Sequence, residues 1–201
     1  MDEPNLQHRR IAIPETRELD VFAVLLERRG AEVLRCPLVA ILDAPDPQPV
    51  LEWVRAFNAG SCDDLILLTG EGLRRIVACM DRHEPGLRAA FVERLAQVRT
   101  IVRGPKPGRA LRELGLKPTL VAFEPTTTGV IATLQALDLR GHRVGVQLYG
   151  QVQNEPLQAA LRAAGAELQI VAPYIYADAA DTARVIELID QLAHGALHAI
   201  A

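Results

Sequence analysis

Short turns rich in polar and glycine residues recur after apolar segments, and they carry the side chains best suited to bind an anion. Arg17, Arg103 and Lys106 add positive charge within or beside them. Backbone N–H groups and the positive end of a helix dipole favour anions at such positions. The spacing therefore predicts a binding site built from several turns. These turns are 14–17, 69–72, 104–108, 125–129 and 149–151.

The threonines of the fourth turn have two explanations. Thr126, Thr127 or Thr128 could act only as the N-cap of the following helix, which would stabilise that helix by ~1 kcal/mol. Their hydroxyls and N–H groups could also contact a ligand. Capping and binding are compatible, so both interpretations stay open.

Sequence signatures of other chemistries are missing. No GxGxxG, GxSxG or HExxH motif occurs. The segment 104–108 lacks the Gly-Lys-Ser/Thr ending of a P-loop, and its prolines remove N–H donors. Cys36, Cys62 and Cys79 are widely spaced and form no CxxC pair. Nucleophilic, metal and nicotinamide chemistry therefore lose support.

Composition narrows the class of protein. Hydrophobic residues make up 49% of the 201 residues, charged residues 23%, and the net charge is −3. These values indicate a packed globular protein and argue against nucleic-acid binding by this segment. No apolar run reaches the ~20 residues of a membrane helix, and no signal peptide is evident. We expect a cytoplasmic monomer without membrane contact.

Predicted strands and helices alternate along the chain. This alternation predicts an α/β fold with parallel sheets flanked by helices, and it places the turns at the carboxyl ends of strands, where ligands bind. Pro37 interrupts a β-rich stretch at 32–41, and 43–49 is predicted as a linker. Strands are predicted at 11–13, 65–68, 100–103, 119–123 and 143–148, and helices at 18–29, 71–80, 86–96, 106–114, 126–137 and 154–164.

An internal similarity predicts two domains. Leu26-x3-Gly30-Ala31-Glu32 is echoed by Leu161-x3-Gly165-Ala166-Glu167. Each copy leads into a strand through a proline, so the two strands could be paired connections between domains; ordinary recurrence of a helix–Gly–strand unit is the alternative. The prediction is a first domain of 1–37 and 176–201, a second domain of 44–170, and connector strands at 38–43 and 171–175.

Taken together, several segments of this chain resemble the uroporphyrinogen-III synthase family. The resemblance implies two α/β domains joined by a two-stranded connector. The segments are 65–72, 102–107, 109–115, 126–129, 139–150, 161–167 and Pro173-Tyr174.

The activity implied by the resemblance is cyclisation of hydroxymethylbilane to uroporphyrinogen III, a step of tetrapyrrole (porphyrin and heme) biosynthesis. The enzyme would be a cofactor-independent lyase of the hydro-lyase type. Its substrate is an anionic linear tetrapyrrole with eight carboxylates, and the last pyrrole ring becomes inverted through a spiro intermediate.

The resemblance also implies site residues. Tyr174 matches the family's tyrosine at the end of the returning strand and could protonate the departing hydroxyl; a purely structural role is the alternative. The residues expected to bind substrate are Arg17, Thr69, Gly70, Arg103, Gly104, Lys106, Thr127, Thr128, Tyr149 and Gly150.

Two departures from the family pattern keep other functions open. Pro107 stands where many members have threonine, and the chain ends at Ala201 inside an apparent strand. We therefore expect a first domain that is incomplete at its C-terminus, and little or no activity from this segment alone. The alternatives are a tetrapyrrole-sensing domain of a transcriptional regulator and a binding protein for another polyanion.

Overall fold

Two compact units make up the chain. Unit 1 comprises Met1–Leu42 and Tyr176–Ala201, and unit 2 comprises Asp43–Ile175. The structure, a computed structural model, describes residues 5–16, 18–150, 152–178 and 182–201, and only the backbone of Asp178.

Strands and helices alternate through both units, and the strand pairings of the two larger sheets are parallel, which confirms the predicted α/β class. In chain order, the elements are β1 (Arg10–Ile13), α1 (Leu19–Glu27), β2 (Glu32–Arg35), β3 (Val39–Asp43), α2 (Gln48–Asn58), β4 (Asp64–Leu67), α3 (Gly70–His83), α4 (Leu87–Gln97), β5 (Arg99–Val102), α5 (Pro105–Glu113), β6 (Leu120–Val121), α6 (Thr127–Leu134), β7 (Arg143–Gln147), α7 (Glu155–Ala163), β8 (Glu167–Val171), β9 (Tyr174–Asp178), α8 (Thr182–Ala193) and β10 (Ala199–Ile200).

Unit 2 contains a five-stranded parallel sheet with the order β6-β5-β4-β7-β8. Its central strand β4 is buried at every position because two apolar clusters cover the sheet. One cluster includes side chains of α2 to α5, with Trp53 stacked on Phe57 at 5.2 Å between ring centroids. The other includes side chains of α6 and α7. The sheet therefore has helices on both faces.

Unit 1 contains a three-stranded parallel sheet with the order β10-β1-β2. Its buried apolar cluster is small and consists of Ala12, Cys36, Leu188 and Leu197, with Leu34 and Leu38 packed against it. Several apolar side chains of α1 and α8 stay exposed, among them Val21 and Ile189.

The β-rich stretch at 32–41 forms two strands, β2 and β3, separated at Pro37. Proline has no N–H for a ladder hydrogen bond, so a break there is expected. Strand β3 pairs with β9 in a two-stranded sheet. The chain leaves unit 1 after Leu42, within β3, and returns after Ile175, within β9.

Helix α2 overlaps the predicted 43–49 linker and continues into a region for which the sequence pattern predicts no element. The linker is shorter than predicted because β3 continues to Asp43 and α2 begins at Gln48. Pro49 fits the first helical turn, where its missing N–H is not needed. The buried residues Val50, Val54 and Phe57 follow a helical spacing that identifies the element.

Among the residues that the structure describes, no helix has the length and apolar character required to cross a lipid bilayer.

Candidate functional site

The carboxyl edge of the unit 2 sheet contains a point where the strand order changes direction. From β4 the chain adds β5 and β6 on one side, then crosses to place β7 and β8 on the other. The pairings of Leu67 with Val102 and with Gln147 bring the ends of β4, β5 and β7 level. Turns that leave such a switch point diverge and open a crevice where ligands bind in open α/β sheets.

Close backbone approaches bring the turns after β4, β5 and β6 together. A Cβ atom on Gly70 would lie 2.6 Å from the carbonyl oxygen of Lys106, so the start of α3 touches the start of α5. A Cβ on Gly104 would lie 3.0 Å from Cβ of Pro125, which joins the second turn to the third. Glycine permits both contacts because it has no side chain.

The segment after β7 completes the group of turns. The guanidinium carbon of Arg103 lies 5.3 Å from the centroid of the Tyr149 ring, a cation–π contact. Asn154, just before α7, donates from Nδ2 to Oγ1 of Thr127 at 3.3 Å. Four of the five turns predicted from the sequence therefore lie at one edge of one sheet.

Helix N-termini at this edge leave N–H groups available to a ligand. Thr69 caps α3 by accepting from the N–H of Gly72 at 3.0 Å, and Thr126 caps α6 by accepting from the N–H of Gly129 at 2.9 Å. Thr126 is thus the capping threonine, and Thr127 and Thr128 belong to the first helical turn. Their backbone N–H groups precede the region where intrahelical bonds begin.

Helix α5 contributes fewer donors than an ordinary helix start. Pro105 and Pro107 occupy its first and third positions and have no N–H. Lys106 lies between them, with an exposed side chain. Among the described residues, neither Lys106 nor Arg103 takes part in an ion pair, so positive charge at this edge is not neutralised by a neighbouring carboxylate.

A buried glutamine lies behind the turns. Gln147 ends β7 with no exposed surface, and its Oε1 accepts from the N–H of Thr69 at 3.1 Å. Gln147 lies within the 139–150 segment that resembles the family but is not among the residues predicted to bind substrate. A polar residue in the otherwise apolar run from Val144 to Leu148 was the signal for it, because a buried amide requires hydrogen-bond partners.

Tyr174 lies within hydrogen-bonding distance of Thr69, which also contacts Gln147. Its phenol oxygen is 3.3 Å from Oγ1 of Thr69, and its side chain is 0% exposed. The predicted acid is thus adjacent to a predicted binding residue, and the covered phenol also fits the structural role left open by the sequence.

Gly150 and Arg17 are the remaining residues predicted to bind substrate. Gly150 has φ of 60°, a left-handed conformation that suits glycine and turns the chain after β7. Arg17 lies outside the described residues. Its turn, 14–17, belongs to unit 1, so its participation in the site stays a prediction.

The amino edge of the same sheet has a different electrostatic character, because several of its charges are paired. Arg143 hydrogen-bonds to Asp63 through its side chain and its backbone N–H, and these bonds lower the pKa of Asp63 to about 2. The buried Asp64 carboxylate accepts a hydrogen bond from Nε of Arg99, and its Oδ2 lies 2.8 Å from Nδ1 of His142. Such pairs hold strands together and leave little charge for a ligand.

A metal site finds no support in the described part of the chain, where no three His, Cys, Asp or Glu side chains are grouped to hold an ion. Burial raises the pKa of the Cys62 and Cys79 thiols, which disfavours thiolate chemistry.

Similarity to solved structures covers almost the whole chain. A mutant uroporphyrinogen III synthase from the extremely thermophilic bacterium Thermus thermophilus is 28% identical with a TM-score of 0.75, over 96% of this chain and 71% of that chain. The wild-type synthase of the same bacterium, in a second crystal form, is 27% identical with a TM-score of 0.63, over 96% of this chain and 70% of that chain.

Sequence comparisons give the same family. The Bacillus subtilis (strain 168) protein named "Uncharacterized protein YjjA" is 30% identical over 166 residues, 83% of this chain and 60% of that protein. The chain thus spans less than two thirds of that relative's length. A family model described as "Uroporphyrinogen-III synthase HemD" matches residues 20–201. The chain therefore belongs to the uroporphyrinogen-III synthase family.

Proposed function

We propose that the protein binds an anionic linear tetrapyrrole at the carboxyl edge of the unit 2 sheet and converts hydroxymethylbilane into uroporphyrinogen III. The observation that supports this most is the meeting of four turns there, with Thr69, Arg103, Lys106 and Tyr149 among their residues. Family membership and the similarity to the synthases of Thermus thermophilus support this reaction and this ligand.

The residues of this edge suit a ligand with many carboxylates. The flat guanidinium of Arg103 can hold a carboxylate through two parallel hydrogen bonds, and the Tyr149 ring supports it from one side. Lys106 supplies a mobile point charge. The first-turn N–H groups of α3 and α6 add uncharged donors that favour anions. Several turns can thus grip separate arms of one molecule.

Catalysis would come mainly from holding the reactive chain in one folded conformation. Orientation of reacting groups lowers a barrier without a dedicated catalytic side chain. Tyr174 would transfer its proton to the terminal hydroxyl, so that the carbon–oxygen bond breaks and water leaves before ring closure. Because the Tyr174 side chain is 0% exposed, this transfer requires the residues that cover it to move. We propose that no cofactor takes part.

A second candidate function is tetrapyrrole binding without turnover. The covered phenol of Tyr174 favours it, because a buried acid in a rigid site would not reach a ligand. Pro107 also removes an N–H from the first turn of α5.

Analysis of the isomer formed from hydroxymethylbilane distinguishes these functions. The uncatalysed precursor closes without ring inversion to the type I isomer, whereas the proposed activity gives type III. Lys106→Ala should raise KM by roughly two- to fivefold, the effect of losing about 0.5–1 kcal/mol of exposed charge interaction. Lys117→Ala is the matched control, since Lys117 is exposed just before β6 at the opposite edge.

Each outcome separates the alternatives. Type I product together with measurable binding would support a sensory role. Neither type III product nor binding of the tetrapyrrole would reject both functions. An equal effect of Lys106→Ala and Lys117→Ala would contradict the placement of the site.

A further inference from the structure

Three hydrogen-bonded polar side chains adjoin the candidate site, two of them buried and one, Thr69, partly exposed. Gln147 and Tyr174 are both 0% exposed, and Thr69 lies between them. Buried polar groups are costly unless their hydrogen bonds are made, so the direction of each bond in this chain is constrained.

The amide of Gln147 is fixed at both ends. Its Oε1 accepts from the N–H of Thr69 at 3.1 Å, and its Nε2 donates to the carbonyl oxygen of Leu148. In a flipped amide, Oε1 would face the carbonyl oxygen of Leu148 and Nε2 would face the N–H of Thr69. Both contacts would be repulsive. The observed orientation therefore directs the second Nε2 hydrogen toward Oγ1 of Thr69, 3.4 Å away.

Glycine at position 72 makes room for this amide. A Cβ atom on Gly72 would lie 1.8 Å from Nε2 of Gln147 and 2.0 Å from its Cδ. No heavier side chain fits there while the amide stays in place. The first turn of α3 and the glutamine are thus built to fit one another.

The Thr69 hydroxyl has one proton and two acceptor positions. The N–H of Gly72, at 3.0 Å, and Nε2 of Gln147 occupy the acceptor positions. The hydroxyl proton is then left for the phenol oxygen of Tyr174 at 3.3 Å. Tyr174 then accepts in this contact, so its own proton is not shared with Thr69.

We propose that Gln147 is a positioning residue that orients the Thr69 hydroxyl toward Tyr174, so that the phenol accepts from Thr69 and does not donate its proton to Thr69 when the substrate binds. This inference rests on the proposed function, in which Tyr174 is the acid. When the phenol proton moves to the departing hydroxyl, the carbon–oxygen electron pair leaves with water. The phenolate keeps the hydrogen bond from Thr69, which stabilises its charge.

Raman spectroscopy tests the bond direction without substrate. The chain has three tyrosines, so the double variant Tyr149→Phe/Tyr176→Phe leaves Tyr174 as the only one. The intensity ratio of the tyrosine Fermi doublet reports whether a phenol mainly accepts or donates. In this background, Gln147→Met should shift the ratio toward a donating phenol, because the Thr69 hydroxyl can then accept from Tyr174.

Three further variants keep this test decisive. Thr69→Val should shift the ratio, because its side chain cannot donate, and Thr69→Ser should leave it unchanged. Gln158→Met removes a buried amide in α7 and should also leave it unchanged. A ratio unaffected by Gln147→Met would overturn the proposal, and so would a ratio unaffected by Thr69→Val, which tests the bond from Thr69 even if Gln147→Met does not fold.

Kinetics test the catalytic consequence separately. In the otherwise natural chain, Gln147→Met should lower kcat by roughly tenfold or more, as expected when a general acid is poorly oriented, with little change in KM. A change confined to KM would contradict a positioning role. If the natural protein forms no type III isomer, the proposed function fails and the positioning role fails with it, whereas the Raman ratio still decides the direction of the bond.

Discussion

At the scale of single residues, glycines set how closely the turns of the carboxyl edge approach one another. Gly70 lies against the backbone of Lys106. A Cβ atom added to Gly129 would lie only 2.3 Å from the carbonyl oxygen of Glu124, so no larger residue fits at that position. Backbone atoms cannot rotate away as flexible side chains can. Substitution at these glycines must therefore displace a whole turn.

Gly70→Ala should lower the free energy of unfolding by about 1–3 kcal/mol, the usual range for overpacking. Gly86→Ala is the matched control, because Gly86 precedes α4 with φ of −62° and no atom lies near its added Cβ. That variant should stay within about 0.5 kcal/mol of the natural chain. Urea denaturation measures both, and equal losses would contradict the close approach.

The Asp63–Arg143 pair gives a pH-dependent prediction. Since the pKa of Asp63 falls from its ordinary 3.8 to about 2, the charged carboxylate stabilises the fold above the ordinary value, and this is lost as pH falls toward about 2. The pair is more than a third exposed, so its contribution stays below ~1 kcal/mol.

Asp63→Asn should therefore be less stable than the natural chain at pH 6, and the difference should shrink between pH 4 and pH 2. Urea denaturation over this range measures it. A difference that stays constant down to pH 2 would show that the lowered pKa is not the cause.

Residue types after strands, together with the family resemblance, predicted part of the candidate site. Thr69, Arg103 and Tyr149 were predicted because hydroxyls, charge and aromatic rings after strands are recognisable in a sequence, and the structure places them at one edge; their roles in binding stay predictions. Gln147 was not singled out, because its significance depends on an amide orientation and a gap at Gly72 that only the folded chain contains.

At the scale of elements, two helix starts combine a capping bond with first-turn N–H groups that the proposed function assigns to ligand binding. Thr69 and Thr126 each accept from an N–H in the first turn, which leaves other first-turn donors exposed to an anion. A cap fixes the direction of those donors, so loss of the cap should lower stability and, if the proposed function is correct, also weaken binding.

Thr126→Ala should lower the free energy of unfolding by ~1 kcal/mol, because the N–H of Gly129 loses its partner. Thr126→Ser keeps the hydroxyl and should stay close to the natural chain. Thermal or urea unfolding distinguishes them, and a serine variant as unstable as the alanine variant would count against capping.

Element prediction was strongest where glycine ends a helix or a strand is apolar throughout. It was weaker around prolines, because proline breaks a strand at 37 but fits a helix start at 49. The predicted helix at 126–137 ends at Leu134, and the predicted strand at 119–123 forms pairs only at Leu120–Val121. Ends of elements depend on tertiary contacts that periodicity does not reveal.

At the scale of the whole molecule, the two units differ in how much apolar surface they bury. Unit 2 has two extended apolar clusters around five strands, whereas unit 1 has one small cluster and exposed apolar side chains on α1 and α8. Burial of apolar surface is the main stabilising contribution to a fold. The domain boundaries predicted from the sequence stay a prediction.

Native-state hydrogen exchange should therefore find unit 1 less protected than unit 2. Amides of β1, at 10–13, should exchange through openings of lower free energy than those of β4, at 64–67. Equal protection of both strands would indicate that the chain unfolds as one cooperative body.

The most direct test of the proposed site is to map where a tetrapyrrole binds. Amide NMR of the chain with uroporphyrinogen III, kept anaerobic, should show the largest changes within 69–72, 104–108, 126–129 and 149–150. The amino-edge turns at 60–63, 115–119 and 141–142 should change little, because their charges are paired or distant. Changes concentrated at the amino edge, or none at the four carboxyl-edge turns, would contradict binding by those turns.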